Sequence, residues 1–256
     1  MEEMRINKYL ASLGIASRRE VDKMIEEGAI KVNGEKAAPG IKVSDKDEIY
    51  IRGKKIEKNT EKKVYYILNK PLEVLSSSKD DRGRKTVVDL IKCKERIFPI
   101  GRLDYNTSGL IILTNDGELF NRIIHPKAEI FKEYYAKVFG EIKEENAELL
   151  RKGVELDDGM TLPANVKILR RERGKTELLV AIREGRNRQV RRMLDKINHP
   201  VITLRREKIG DLSLGNLKLG EYRELTNEEV NYLYSFVSSL YSPNFRLPRE
   251  RSPIFW

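Results

Sequence analysis

The sequence predicts an α+β protein built in two parts, and three observations carry that expectation. Residues 4–51 place two short helical patterns ahead of several short β-type segments. Residues 52–63 are nearly all charged or polar and lack apolar periodicity, as a linker should. Beyond residue 64, apolar runs of strand length are interleaved with brief helical patterns. With 256 residues the chain is long enough for two domains, or for one large domain with an appendage. The boundaries read as a module over 1–51, a linker over 52–63, a larger domain over 64–240 and a tail over 241–256.

In the first part, Ile6, Tyr9, Leu10 and Leu13 fall at helical spacing, and Gly14 ends that helix. Ser17-Arg18-Arg19-Glu20 forms a capping box, which opens a second helix with Val21, Met24 and Ile25 inward and Gly28 at its stop. Ile30 and Val32 lead into an Asn33-Gly34 hairpin turn, and Ile41, Val43, Ile49 and Ile51 mark further short strands. Arg5, Lys8, Arg18, Arg19, Lys23 and Lys31 make the polar face basic. Such a face suits a track of phosphates, and equally the solvated side of amphipathic helices.

In the second part, Val64 to Leu68 reads as a strand ending at Asn69-Lys70-Pro71, and Thr86 as the cap of a short helix through Leu90. Ile97 to Ile100 and Leu110 to Leu113 read as buried strands, and Glu118 to Ile124 as a helix stopped by His125-Pro126. Lys132 to Phe139 and Thr176 to Ile182 read as strands, separated by a helix ending near Gly153 and by an Asp157-Asp158-Gly159 turn. Thr226-Asn227-Glu228-Glu229 is a second capping box, opening a final helix. The tail holds three prolines with Phe245, Phe255 and Trp256, and reads as disordered or as docked through its aromatics.

Lys and Arg number 50 against 40 Asp and Glu, a net charge of +10 that points to a polyanionic partner, nucleic acid first. An anionic membrane surface competes, but the chain has no run of about 18 apolar residues. Its start, Met1-Glu2-Glu3-Met4, lacks a signal-peptide core, so a cytoplasmic location is expected. One cysteine, Cys93, excludes an intramolecular disulfide framework. Its neighbours Lys92, Lys94 and Arg96 favour the thiolate, although a passive thiol fits as well. His125 and His199 without a cysteine set give no zinc pattern.

The chemistry concentrates in three separated segments. Gly101-Arg102-Leu103-Asp104-Tyr105-Asn106-Thr107-Ser108-Gly109-Leu110 places an acid on a short polar loop between two apolar strands. A carboxylate fixed there has the make-up of a site on a rigid scaffold; a loop aspartate bonding its own backbone is the competing reading. In Lys132-Glu133-Tyr134-Tyr135, strand alternation sends Tyr134 and Tyr135 to opposite faces. Arg183 to Met193 packs five arginines into ten residues, with Val190, Met193, Leu194 and Ile197 as an apolar stripe and Arg188, Arg191, Arg192 and Asp195 opposite. Such density suits phosphate or carboxylate recognition, and the same spacing is met by a solvated basic face.

Arg5-Ile6-Asn7-Lys8-Tyr9-Leu10, Ser17-Arg18-Arg19 and Gly28-Ala29-Ile30-Lys31-Val32-Asn33-Gly34 resemble the S4 RNA-binding domain. Gly101-Arg102-Leu103-Asp104 with Thr107-Ser108-Gly109-Leu110 and Thr114-Asn115-Asp116-Gly117, Glu184 to Met193, Leu204-Arg205-Arg206 and Asn69-Lys70-Pro71 resemble the bacterial ribosomal RNA pseudouridine synthase family. The branch is that of small-subunit enzyme A and large-subunit enzymes B, E and F. Asn121-Arg122, His125-Pro126 and Glu133-Tyr134 lie nearest the B type among the large-subunit enzymes.

The resemblance implies an S4 module followed by a domain built on a mixed, mostly antiparallel sheet with flanking helices. It also implies site-specific isomerisation of uridine to pseudouridine in ribosomal RNA, of the 23S type, after base flipping. On that reading Asp104 is the catalytic carboxylate, Arg191 its pairing cation, Tyr134 the active-site tyrosine and Leu204 an apolar contact to the base. Arg102 fills the gap left by the flipped nucleotide, and Arg186, Arg188, Arg192, Arg5, Lys8, Arg18 and Arg19 contact RNA. No metal or cofactor is required, and the expected partner of a monomeric protein is ribosomal RNA or an assembling ribosomal subunit, with no membrane. The alternative is a non-catalytic rRNA-binding assembly factor. An aspartate-nucleophile hydrolase would leave the S4-like module and the arginine-rich helix unexplained.

Overall fold

The computed structural model describes residues 3–57, 62–125 and 128–238. The expected tail at 241–256 lies outside the described residues, as do residues 58–61 of the expected linker. The chain divides into two compact units, the first comprising Met1–Val64, Lys92–Ile97 and Thr114–Gly117, the second Tyr65–Ile91, Phe98–Leu113 and Glu118–Trp256.

The first unit opens with β1 (Met4–Arg5), α1 (Ile6–Ser12) and α2 (Arg18–Glu26). The capping box is formed: Glu20 N–H donates to Ser17 Oγ at 3.1 Å, and Ser17 N–H to Glu20 Oε2 at 2.6 Å. Then come β2 (Ile30–Val32), β3 (Glu35–Lys36), β4 (Lys42–Val43), β5 (Ile49–Ile51) and β6 (Lys54–Lys55). Strands β3-β2-β5-β6 form an antiparallel sheet, and β1 pairs β4. The β2–β3 hairpin turns at Asn33 and Gly34, with φ of 51° and 89°, the double left-handed geometry this dipeptide favours. Ile6, Leu10, Val21, Ile30 and Ile49 form the buried core. The expected linker begins too early, because β6 pairs β5 and Ile56 packs on this core. Charge composition hides β6: it is an edge strand with both side chains exposed.

The second unit is built on a sheet ordered β13-β14-β10-β15-β9-β7-β17, with short strands β8 and β16 beside β9 and β15. In chain order these are β7 (Tyr65–Lys70), β8 (Phe98–Ile100), β9 (Ser108–Thr114), α3 (Gly117–Ile124), β10 (Lys132–Phe139), α4 (Glu144–Lys152) and the hairpin β11 (Glu155–Leu156) and β12 (Gly159–Met160). They are followed by β13 (Asn165–Glu172), β14 (Lys175–Ile182), α5 (Gln189–Lys196), β15 (Val201–Ile209), β16 (Leu212–Ser213), β17 (Tyr222–Glu224) and α6 (Asn227–Ser238). The register pairs β13, β14, β10, β15 and β16 antiparallel to their neighbours, and β17 to β7, whereas β15 meets β9 in parallel.

Every residue of β9 is buried, which is why Leu110 to Leu113 within it read as an unbroken apolar run. The capping box at Thr226 forms, with Glu229 N–H on Thr226 Oγ1 at 3.2 Å. Thr86 does not cap an α-helix. The helix is one 3₁₀ turn, Val88–Leu90, and Asp89 Oδ2 accepts from the Thr86 N–H at 2.7 Å and hydroxyl at 2.9 Å.

Two apolar cores occupy this unit. One gathers Ala136, Val138, Leu150, Leu178, Met193 and Leu204; the other gathers Ile67, Ile100, Leu110, Ile112, Leu119 and Ile209. They meet around the parallel β15–β9 pair, in the middle of the sheet.

Candidate active site

A cavity of about 640 Å³ opens where the two cores of the second unit meet, and residues of the 101–107 loop line it. That loop enters β9 and is fixed at both ends. Leu103 N–H donates to Ser76 Oγ at 3.0 Å and the Ser76 hydroxyl donates to the Leu103 carbonyl at 2.8 Å. Glu73 N–H donates to the Tyr105 carbonyl at 2.9 Å, and Thr107 N–H closes a turn on the Asp104 carbonyl at 3.0 Å. Leu103 and Thr107 are buried, so the loop is anchored by its apolar and hydroxyl side chains while Asp104 stays about one-third exposed. The turn uses the backbone carbonyl of Asp104. Its carboxylate is left facing the cavity, with Arg188 Nη1 3.9 Å from Oδ2.

Arg188 holds an unusual backbone. It is the N-cap of α5 at φ 47° and ψ 33°, a left-handed conformation that costs a non-glycine residue about 1–3 kcal/mol. From there Nη1 also reaches Asn106 Oδ1 at 3.3 Å. Strain of this kind persists where surrounding contacts fix it, and here those contacts tie α5 to the aspartate loop.

Arg191 departs from expectation in two ways. It lies within α5 but is 7% exposed rather than solvated, because that face of the helix is covered by the loop. Its Nη2 donates to the Asn106 carbonyl at 2.7 Å and to Thr107 Oγ1 at 3.3 Å. The direct ion pair to Asp104 is therefore made by Arg188, and Arg191 supports the loop from beneath. Burial, together with the nearby Arg188 charge, lowers its pKa from the usual arginine value, against the opposing pull of Asp104.

Arg186 and Arg192, expected on RNA, are committed within the protein. Arg192 makes a fork to both Asp158 carboxylate oxygens at 2.9 Å each. Arg186 binds the Gly159 carbonyl at 2.7 Å, the Met160 carbonyl at 2.5 Å and Glu184 Oε2 at 3.0 Å. The β11–β12 turn thus presents an acid and a cluster of carbonyls that brace the segment leading into α5. Arg192 holds the Asp158 carboxyl down at about 2.

Tyr134 and Leu204 both line the cavity, on neighbouring antiparallel strands. Tyr135 lies on the other face, with the Arg205 guanidinium 5.5 Å from its ring centre. Arg102 is exposed at the cavity mouth. In the first unit, Arg5, Lys8, Arg18 and Arg19 are all exposed, at the start of α1 and in the first turn of α2. There the helix N-terminus adds its own affinity for anions.

Three cations escaped assignment in the sequence. Lys70 is fully buried at the end of β7, donating to the Pro71 carbonyl at 2.8 Å; burial pushes its pKa down to about 8, opposed by the charge of Asp104. Lys132 and Arg206 line the cavity. The signal for Lys132 was its place two residues before Tyr134, which puts both on one face of the strand. Among the described residues no cluster of metal-ligating side chains occurs, and no helix is long and apolar enough to cross a membrane.

Residues 64–196 match the family model of RNA pseudouridylate synthase, and residues 4–49 that of the S4 domain. Ribosomal large subunit pseudouridine synthase B of Bacillus subtilis is 47% identical over 233 residues, covering 90% of this chain and 95% of that protein. A dual-specificity RNA pseudouridine synthase of Escherichia coli is 36% identical, covering 92% of this chain and 80% of that one. A crystal structure of a pseudouridylate synthase superimposes with a TM-score of 0.66 at 32% identity, over 90% of this chain and 99% of that chain.

Proposed function

Because the chain belongs to the RNA pseudouridylate synthase family and carries an S4 domain, we propose that it converts specific uridines of large-subunit ribosomal RNA to pseudouridine, with Asp104 as the catalytic carboxylate. The observation that carries the assignment of Asp104 is its loop. Bonds from Ser76, Glu73, Thr107 and Arg191 fix the backbone on both sides of a carboxylate that faces the cavity. A binding module has no need of such a carboxylate in a basic cleft, which argues against a purely structural assembly factor.

The reaction breaks the N1–C1′ bond of uridine and joins C5 to C1′. A flipped uridine in the cavity lies against Tyr134 and Leu204, with Asp104 at the sugar. An ionised carboxylate serves as a nucleophile toward C1′ or as a base at C2′. Arg188 stands beside the carboxylate, and Arg191 keeps the loop from moving. Arg102 at the mouth is positioned to fill the vacated stack. Exposed Arg5, Lys8, Arg18 and Arg19 supply phosphate contacts from the S4 unit. The protein acts as a monomer in the cytoplasm, on ribosomal RNA or an assembling ribosomal particle.

Pseudouridine mapping in ribosomal RNA from cells lacking the gene tests the reading. One or a few large-subunit uridines should lose modification and regain it on complementation. An unchanged map, or a loss confined to small-subunit RNA, contradicts the proposed substrate.

A further inference from the structure

Three cations that line the cavity form no ion pair among the described residues: Arg102, exposed at its mouth, and Lys132 and Arg206 on the strands. Lys132 Nζ has the Ile130 carbonyl, at a long 3.4 Å. Arg206 is 3% exposed; its Nε donates to the Leu110 carbonyl at 2.7 Å, and its Nη2 is buried without a hydrogen-bond partner. An orphaned guanidinium N–H is costly, since a buried donor without a partner has given up its hydrogen bond to water. Burial, with the Arg206 charge adding to it, lowers the Lys132 pKa to about 8. Arg191, the other buried arginine of the site, places Nη2 on a carbonyl and a hydroxyl, and its Nε is likewise buried without a partner. Arg206 and Lys132 thus bring to the cavity wall positive charge that no carboxylate among the described residues pairs with.

The register says where. Tyr134 of β10 stands opposite Arg206 of β15, and Ala136 opposite Leu204. Lys132 lies two residues before Tyr134, and Leu204 two before Arg206, so all four side chains share one face of the sheet. The two cations thus flank the Tyr134–Leu204 surface that receives the base, on the strands rather than on the exposed rim.

In the isomerisation the N1–C1′ electron pair departs with uracil. On the covalent route Asp104 gives a pair to C1′ as uracil leaves, and regains it when C5 attacks C1′. On the elimination route Asp104 takes the C2′ proton as uracil leaves, and returns it when C5 adds to C1′. Either way C5 finally loses its proton to solvent and N1 gains one, and in between uracil carries a negative charge shared by N1, O2 and O4. We propose that Lys132 and Arg206 form an oxyanion site whose N–H donors meet a uracil carbonyl oxygen and bind it more tightly as this charge develops. The inference rests on the uridine isomerisation proposed above. It makes both residues catalytic through electrostatic stabilisation of the leaving base.

The test uses the full chain and an rRNA fragment bearing either uridine or 5-fluorouridine at the mapped target. Under single turnover at saturating RNA, loss of the N-linked nucleoside is followed by mass spectrometry. Lys132→Gln should slow the uridine substrate by about 100-fold or more and the 5-fluorouridine substrate distinctly less, because fluorine already stabilises the departing anion. RNA affinity should stay unchanged, and Lys132→Arg should restore most of the rate. Arg206→Lys, which keeps the buried charge but loses the fork, should show the same base-dependent slowing and stands in if Lys132→Gln does not fold. Equal slowing of both substrates overturns the inference alone. So does an unaltered saturated rate with weaker, less salt-dependent binding, which would place a phosphate at the pair. A wild-type chain that isomerises no uridine overturns the enzymatic reading and this inference with it.

Discussion

Asp104 owes its position to bonds made by its neighbours rather than to a partner that grips it. Leu103, Tyr105, Asn106 and Thr107 are all hydrogen-bonded, and the nearest cation, Arg188, sits at 3.9 Å. Such a carboxylate is oriented yet free to engage a substrate. At Tyr134 the same logic separates ring from hydroxyl. Tyr134→Phe keeps the stacking surface and should bind RNA normally but slow turnover by about two decades or more, the range for a lost acid–base group. Tyr135→Phe, on the face that carries Arg205, should be mild. Single-turnover rates of the two variants settle the register, and the reverse ranking would contradict it. The short loop that carries Asp104 between two buried strands and the alternation of the tyrosines were legible in the sequence because both follow from local pattern. The duties of Arg186, Arg191 and Arg192 were not. A helical wheel gives the face of a residue without saying what covers that face, and Asp158 lies 34 positions from Arg192.

At the scale of elements, the site depends on one crossing. Strand β15 runs parallel to β9 with Arg206 beside Gly109, so a Cβ at 109 would stand 2.3 Å from the Arg206 carbonyl oxygen. Gly109 also has φ of 109°, which side-chain-bearing residues rarely adopt. Gly109→Ala should destabilise the protein by about 3 kcal/mol through overpacking and backbone strain. It should also lower turnover, because the loop before β9 and Arg206 move together. Denaturant unfolding reads the first effect, and a native-like midpoint would contradict the close approach. The elements that escaped the sequence share a cause. Of the eight residues of β13 one is buried, and β15 carries four charged residues within a nine-residue strand. Hydrophobic periodicity sees strands that bury a face; it does not see an edge strand, or one that lends its polar side chains to a cavity.

For the whole molecule, a charge of +10 on a fold with a basic S4 unit makes affinity for RNA salt-dependent. Replacing Arg5, Lys8, Arg18 and Arg19 together by Gln should weaken binding and lower the slope of log K against log salt by about 0.7–0.9 for each phosphate no longer neutralised. An unchanged slope would remove the S4 unit from the RNA interface. The division into an S4 part and a larger α+β part was legible because composition changes sharply between them; its edge was misplaced at 52 because Lys54 and Lys55 look like linker while acting as strand. The central claim, that Asp104 carries the chemistry, is tested most directly by Asp104→Asn in the intact protein. Tritium released from C5-labelled uridine in ribosomal RNA is the measurement, alongside RNA affinity. The variant should fold and bind at least as well as wild type, since one carboxylate fewer in a basic cleft does not weaken attraction to phosphate. Its turnover should fall by more than about four decades, over 5 kcal/mol of barrier. An Asn variant that keeps a tenth of the wild-type rate would show that the catalytic group is elsewhere.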